Sequence, residues 1–455
     1  MRKYVLVGAG SMSFTRGLVT DVIRLGREVE LGLVDIDPEA LRYAEALTVK
    51  MVEAMRAPVR VRASVDRRDL LPGADAVVCT VGVGGRRAWE RDVFIPRQHG
   101  IFQPVGDTAM PGGLSRALRM IPAMVAIARD VLDLCPNALF FNYGNPMTAV
   151  CRAIRKATGA KVVGLCHGVL GLAQYLANFI RVPFPEVSYA AVGINHLTWM
   201  TEFRHKGRDA WPLVREELAR RLGEGIDVAQ LGAKFAEMGQ RPELAQRLGQ
   251  PFSWELFSLY GAIPSALDRH VSEFFPQFFA SGAYYGKTLG VDVYSVEATI
   301  ADGDRRYEQT RELALSRDPL PQDFFARFSG EHEQVTDIID SIEADAGRVY
   351  SANLPNQGQV RNLPPDAILE SPALADGSGM HALAMADLSP GIAATLVSRL
   401  DVVEIIVEAA LRGDRELFVQ ALVADGFVRS IAMARQLADE LLAAQAEFLP
   451  QFKKA

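Results

Sequence analysis

The N-terminal stretch constrains this chain most tightly. An apolar run from Lys3 to Val7 meets the turn Gly8-Ala9-Gly10-Ser11-Met12-Ser13, and Phe14 to Leu25 follows with helical spacing. A second run, Glu30 to Val34, ends at Asp35, and Asp37-Pro38 opens another helix with proline in its first turn. Strand, glycine turn, helix and strand make a β-α-β unit. Further apolar runs at Ala74 to Val81, Ala138 to Tyr143 and Val162 to Leu165 alternate with helical stretches such as Ser115 to Leu134. This rhythm predicts an α/β fold built on a Rossmann-like, doubly wound parallel sheet.

After the strand Val187 to Ile194 the pattern shifts to longer helices, at Leu213 to Leu222, Ala394 to Arg412 and Val428 to Leu449. We therefore expect two domains, a dinucleotide-binding one over residues 1–195 and a mainly helical α+β one over 196–455 that serves substrate binding and oligomerisation. Asn353 to Pro365, rich in glycine, proline and amides, reads as an extended loop.

A chain of 455 residues with 49% hydrophobic and 23% charged side chains is globular rather than disordered. Its net charge of -6 gives no global case for binding nucleic acid or an anionic membrane. No apolar stretch approaches the roughly 18 residues of a membrane span. The four cysteines, Cys79, Cys135, Cys151 and Cys166, contain no CxxC pair, which suits free thiols in a reducing, cytoplasmic setting.

Gly8 and Gly10 lack side chains that would block a pyrophosphate from the backbone N–H groups of the turn and the following helix N-terminus. Asp35, at the end of the second strand, can accept both ribose hydroxyls and favours NAD over a 2'-phosphorylated cofactor. Ser13 stands where the dinucleotide fingerprint has its third glycine. Cys166 and His167 follow one strand and His196 another. A thiolate and an imidazole there can share a divalent cation, or they are a buried thiol and a hydrogen-bonded histidine. Asn145-Pro146 puts an amide at a strand end, either as a helix N-cap or as a contact to sugar or cofactor hydroxyls. Asp107 to Gly113 is either a mobile glycine loop or a phosphate and sugar contact.

Taken in order, Gly8-Ala9-Gly10-Ser11, Val34-Asp35-Ile36-Asp37, Asp107-Thr108 through Gly113, Asn145-Pro146, Cys166-His167-Gly168-Val169 and Gly193-Ile194-Asn195-His196 resemble glycoside hydrolase family 4 over most of the chain. In this family NAD stands in for the usual pair of carboxylates. The resemblance implies NAD+ oxidation of the sugar C3 hydroxyl, polarisation of the ketone by Mn2+ or another divalent first-row metal, removal of the C2 proton, loss of the aglycone, water addition and re-reduction. It implies Cys166 and His196 as metal ligands, Asn145 as a substrate and cofactor contact, and a homodimer or homotetramer. Cys-His at 166–167, where relatives acting on 6-phosphoglycosides resemble Cys-Asp or Cys-Asn, implies an unphosphorylated substrate and brings His167 into the catalytic set.

The same resemblance implies a Tyr or Asp base for the C2 proton in the segment Tyr260 to His270, with Asp268 first and Tyr260 second. Arg269 can hold a carboxylate with two parallel hydrogen bonds, so an α-glucuronide or α-galacturonide is the expected small-molecule substrate. A neutral α-galactoside or α-glucoside is the alternative. Asp107, Arg91 and His270 complete the expected substrate contacts. A dehydrogenase of malate or lactate type, or a non-enzymatic NAD sensor, shares the first β-α-β unit and is the competing reading.

Overall fold

The computed structural model describes residues 1–11, 14–223, 228, 234, 242–325 and 334–452; Ser13 lies outside them. Strands β1 (Arg2–Val7), β2 (Val29–Val34), β3 (Val59–Ser64), β4 (Ala76–Cys79), β5 (Leu139–Asn142) and β6 (Val162–Gly164) pair in parallel in the order β3-β2-β1-β4-β5-β6. Between them run α1 (Thr15–Arg24), α2 (Pro38–Met55), α3 (Gly85–Gln98), α4 (Met110–Leu134) and α5 (Met147–Thr158), with α6 (Gly168–Phe179) after β6. Asp37 caps α2, accepting from the N–H groups of Glu39 (2.9 Å) and Ala40 (3.2 Å) ahead of Pro38, as the sequence predicts.

The second half extends this sheet. β7 (Val187–Ile194) and β8 (Leu197–His205) form an antiparallel hairpin across the 195/196 position, with β9 (Arg208–Asp209) and β10 (Ile263–Pro264) pairing on β8. β11 (Ala283–Tyr284) and β12 (Lys287–Thr288) form a separate small ladder. β13 (Arg348–Pro355) and β14 (Ile368–Asp376) lie between β6 and β7, and β15 (Gly379–Ala382) flanks β14. One register row thus runs Gly164, Asn353, Glu370, Gly193 across four strands. Among the described residues the sheet has 13 strands. The rest of the C-terminal half is mainly helical, including α7 (Trp211–Leu222) and the helices Pro390–Arg412, Arg415–Asp425 and Ile431–Ala444. No described helix is long and apolar enough to cross a membrane.

Two expectations need correction. Asn353 to Pro355 ends a strand rather than starting a loop, because strand partners on both sides satisfy its backbone. The true loop after it is ordered by Asn356, whose amide donates to the carbonyls of Val360, Leu363 and Pro364 at 2.9–3.0 Å. Met110 to Gly113 is likewise the first turn of α4 rather than a mobile loop. A Cβ on Gly113 would lie 2.4 Å from the Thr108 carbonyl carbon, and one on Gly112 would lie 2.9 Å from Asp92 O, so the glycines let the helix start seat closely on that loop.

The helices pack on both faces of the sheet. On one, α4, α5 and the C-terminal helices bury Leu118, Ile121, Val150, Ile406 and Phe418; on the other, α1 and α2 bury Val19, Leu47 and Met51. A fully buried ion pair crosses the first layer. Arg119 on α4 grips Asp92 on α3 with two parallel hydrogen bonds, and Ser115 (2.8 Å) and the Gln445 amide (2.9 Å) donate to the same carboxylate. Removing one partner strands the other charge in apolar surroundings. Asp92→Ala is therefore expected to destabilise the protein by about 3–5 kcal/mol, read as a fall in the urea unfolding midpoint.

Candidate active site

The carboxyl ends of β1, β4, β5 and β6 share one sheet edge, so the turn at Gly8, the loop at Gly82, Asn145 and Cys166 are neighbours by topology. Gly8 sits at φ 94°, and a Cβ there would come within 2.9 Å of the Thr80 and Val81 backbone. A Cβ on Gly10 would meet Asp35 Oδ2 at 2.7 Å. The Gly10 N–H donates to that oxygen (2.7 Å), the Asp37 N–H to the other (3.0 Å), and Ser11 N–H to Gly8 O (3.0 Å). Phe14, the residue before α1, gives the helix no side-chain cap. A bare helix start behind a glycine turn, with a partly exposed carboxylate beside it, fits the diphosphate and ribose of a dinucleotide.

Three side chains converge beyond this turn. One ligand atom each from Asp107, His196 and His270 lies within 4.8 Å of the other two. Asp107 and His270 come from the loop before α4 and the short helix Leu267–Val271, whereas His196 sits in the two-residue turn of the β7–β8 hairpin. The turn brings His196 in from an antiparallel ribbon, not from a further parallel strand. The Thr108 hydroxyl donates to Asp107 Oδ1 (2.8 Å), so its oxygen is left to accept from His196 Nδ1 (2.9 Å). That tautomer leaves the Nε2 lone pair available. Asn145 donates to Asp107 Oδ2 (2.9 Å), and the Asn145 carbonyl accepts from Arg116 (3.0 Å).

The electrostatics suit a cation. Burial pushes the His196 and His270 imidazoles down, and for His270 the facing His196 adds to the effect, so both favour the neutral ligand form. Burial alone would raise the Asp107 carboxyl, yet any positive charge placed among His270, His196 and Arg116 lowers it, and the Thr108 hydroxyl bond adds to this, so the site favours a cation beside an ionised carboxylate. The imidazole centroids of His196 and His270 are 3.9 Å apart. Among the described residues the buried His270 Nδ1 and Asn145 Oδ1 have no hydrogen-bond partner, and His270 Nδ1 is 4.0 Å from Asp107 Oδ1. That gap is too long for a hydrogen bond, so the two atoms face a shared space without bonding each other.

The other predicted residues fall into two groups. Cys166 stands at the head of α6, where the Gly168 N–H donates to its sulfur at 3.4 Å; it is not among the three clustered side chains. It is the half-exposed thiol of the four, the others being buried. His167 is the residue before α6, close enough that a positive charge on it would lower His196 and His270 further. Arg269 donates to Thr299 (3.1 Å), and its buried Nε has no partner among the described residues.

Three expected roles are not supported. Asp268 is fully buried and accepts from Phe252 N (2.9 Å), Ser253 N (2.7 Å), Ser253 Oγ (2.6 Å) and the Tyr284 hydroxyl (2.5 Å). Its carboxylate caps the helix Pro251–Tyr260, and those bonds occupy the lone pairs a C2 base would need. Tyr260 packs edge-on against Trp199 and beside Gly391, not against the three clustered side chains. Arg91 reaches the C-terminal end of the chain, donating to Ala444 O (2.8 Å) and Glu447 (2.7 Å).

Sequence reading gave no individual role to four supporting groups: Thr108, quoted only within the Asp107 loop, Arg116, Glu273 and Glu370. Glu273 accepts from Val105 N (2.9 Å) and Gly106 N (2.6 Å), fixing the loop that carries Asp107. Only its position three residues after His270 hinted at this.

The Family 4 glycosyl hydrolase sequence model matches residues 3–182, and that of the family's C-terminal domain matches residues 191–428. The chain belongs to the family 4 glycosyl hydrolases, which sets aside the dehydrogenase and sensor readings. It is 32% identical to an alpha-galactosidase of Rhizobium meliloti, across 100% of this chain and 90% of that protein. It is 30% identical to an alpha-glucosidase of Erwinia rhapontici (99% of each) and 30% identical to an alpha-galacturonidase of Bacillus subtilis (97% and 96%). The fold matches the crystal structure of the Bacillus subtilis lplD protein, with a TM-score of 0.82, 28% identity and coverage of 97% and 100%.

Burial raises the Glu370 carboxyl to about 7, against about 4.3 in an unfolded chain. The folded state therefore holds more protons between these values, and the stabilisation from that proton is lost as pH rises through 7. Glu370→Gln should show a smaller fall in unfolding free energy from pH 5 to pH 8 than the parent, by up to about 3 kcal/mol in urea titrations of metal-free protein.

Proposed function

We propose that this glycosyl hydrolase cleaves unphosphorylated α-glycosides, with α-galacturonides or α-glucuronides as its substrates. The convergence of Asp107, His196 and His270, with Asn145 bonded to Asp107, carries the reading. Relatives named alpha-galactosidase, alpha-glucosidase and alpha-galacturonidase over nearly the whole chain support an unphosphorylated α-linked sugar. The uronide preference rests on Arg269, next to His270, whose guanidinium donates to the Thr299 hydroxyl on one side while its buried Nε has no partner among the described residues.

NAD would lie along Gly8, Gly10 and Ser11 with its ribose at Asp35, and a divalent ion such as Mn2+ would be held by Asp107, His196 and His270 with the Cys166 thiolate as a sulfur ligand. When bound, the two would supply reversible hydride transfer at the sugar C3 and Lewis-acid polarisation of the oxygen there. Thr108 orients the His196 ring, and Asn145 offers its orphaned amide oxygen to a sugar hydroxyl. His167 is the proposed proton carrier, since Asp268 is committed to the helix Pro251–Tyr260. Desolvation of the site strengthens every one of these contacts.

Release of nitrophenol from α-galacturonide, α-glucuronide, α-galactoside and α-glucoside tests the reading. Turnover should require both NAD+ and Mn2+ without accumulation of NADH, and uronides should lead; a faster neutral glycoside would overturn the uronide assignment. Arg269→Ala should raise KM for uronides more than for neutral glycosides, and His167→Asn should lower kcat more than tenfold. By calorimetry, Asp107→Asn, His270→Ala and Cys166→Ser should each weaken Mn2+ binding at least tenfold; an unchanged value removes that side chain from the ligand set.

A further inference from the structure

His196 is held in an unfavourable place. It is the second residue of a two-residue turn, buried, at φ 67°, where a non-glycine side chain crowds the following carbonyl. The hairpin closes tightly beneath it, since a Cβ on Gly193 would lie 2.3 Å from Leu197 O. Such a turn persists only when its surroundings hold it.

The neighbouring strand supplies the hold. Glu370 on β14 is in register with Gly193, and its fully buried carboxylate reaches over the hairpin. Oε2 accepts from the Thr198 hydroxyl at 2.8 Å and from the Asn195 amide at 3.4 Å, so one oxygen ties together the residues on either side of His196. The same hydroxyl lies 3.0 Å from Ile194 O, and with one proton it donates to the carboxylate or to that carbonyl, not to both. Burying a carboxyl at a sheet centre is costly, which an apolar side chain of similar size would avoid.

We propose that Glu370 is a positioning residue for metal binding: through Asn195 and Thr198 it latches the β7–β8 turn so that the imidazole of His196 faces Asp107 and His270. This rests on the metal reading given above. The latch acts from across the sheet and touches neither the cation nor the substrate. It joins the C-terminal strand pair to a ligand whose other support, Thr108, comes from the N-terminal half.

Titration of the full chain with MnCl2, followed by calorimetry and by the electron paramagnetic resonance of bound Mn2+, tests the proposal well below the unfolding temperature. Glu370→Ala should weaken Mn2+ binding at least tenfold and broaden the bound-ion spectrum. Glu370→Gln, whose amide oxygen can accept the same two bonds, should restore affinity to within about threefold of the parent. Thr198→Val removes the shorter bond from the other side, should weaken binding in the same direction, and decides the matter if Glu370→Ala does not fold. A lowered melting temperature with parental Mn2+ affinity in the folded Glu370→Ala or Thr198→Val protein overturns the latch. A parent protein that takes up no Mn2+ overturns the metal reading and the latch with it, a result distinct from parent and variant binding equally.

Discussion

The insertion of β13 and β14 between β6 and β7 is the constraint on which the rest depends. β6 and β7 are consecutive in this sheet's chain order, yet they are separated in space by two strands more than 150 residues further along the chain. Until that pair docks, β6 is an unpaired edge and β7 has only its hairpin partner. The row Gly164, Asn353, Glu370, Gly193 is where the halves are stitched. A Cβ on Gly164 would lie 2.9 Å from Asn353 Cβ, so the stitch is close-packed as well as hydrogen-bonded. Such long-range closure is entropically slow, and it commits both halves of the chain to one folding unit.

The candidate site inherits this arrangement. Asp107 and Asn145 belong to the N-terminal layer, His196 to the hairpin, and His270 to a short helix beyond it. Each is held by a group that performs no chemistry: Glu273 under the Asp107 loop, Thr108 on His196, Gln250 and the helix Pro251–Tyr260 around Asp268 just ahead of His270. His196 is buried and Asp107 and His270 are partly so, which weakens screening by water and favours neutral imidazoles beside an ionised carboxylate. A cation is the species that such a donor set favours.

Much of this was legible in the sequence because the signals are local. The β-α-β start, the Asp37-Pro38 cap and the strands from β1 to β6 follow from periodicity and turn chemistry, which depend on neighbours in the chain. His196 stood out because of its place after a strand. What misled the reading was also local: Asp268 and Tyr260 carry the right functional groups in the right segment, but packing with Ser253, Tyr284 and Trp199 gives them structural work. The glycines at 112–113 resemble a loop in sequence because close approach to a neighbouring backbone leaves no mark on the chain itself.

The sequence by itself determined the family, the fold class and the dinucleotide turn, since each is written in short-range spacing of glycine, proline, apolar and acidic residues. Only the tertiary structure decided that Asp107 and His270 join His196, that Arg91 serves the C-terminal helices, and that Glu370 lies over the β7–β8 turn. Those outcomes depend on strands that pair across long separations, and pairing register is a property of the whole sheet rather than of any segment in it.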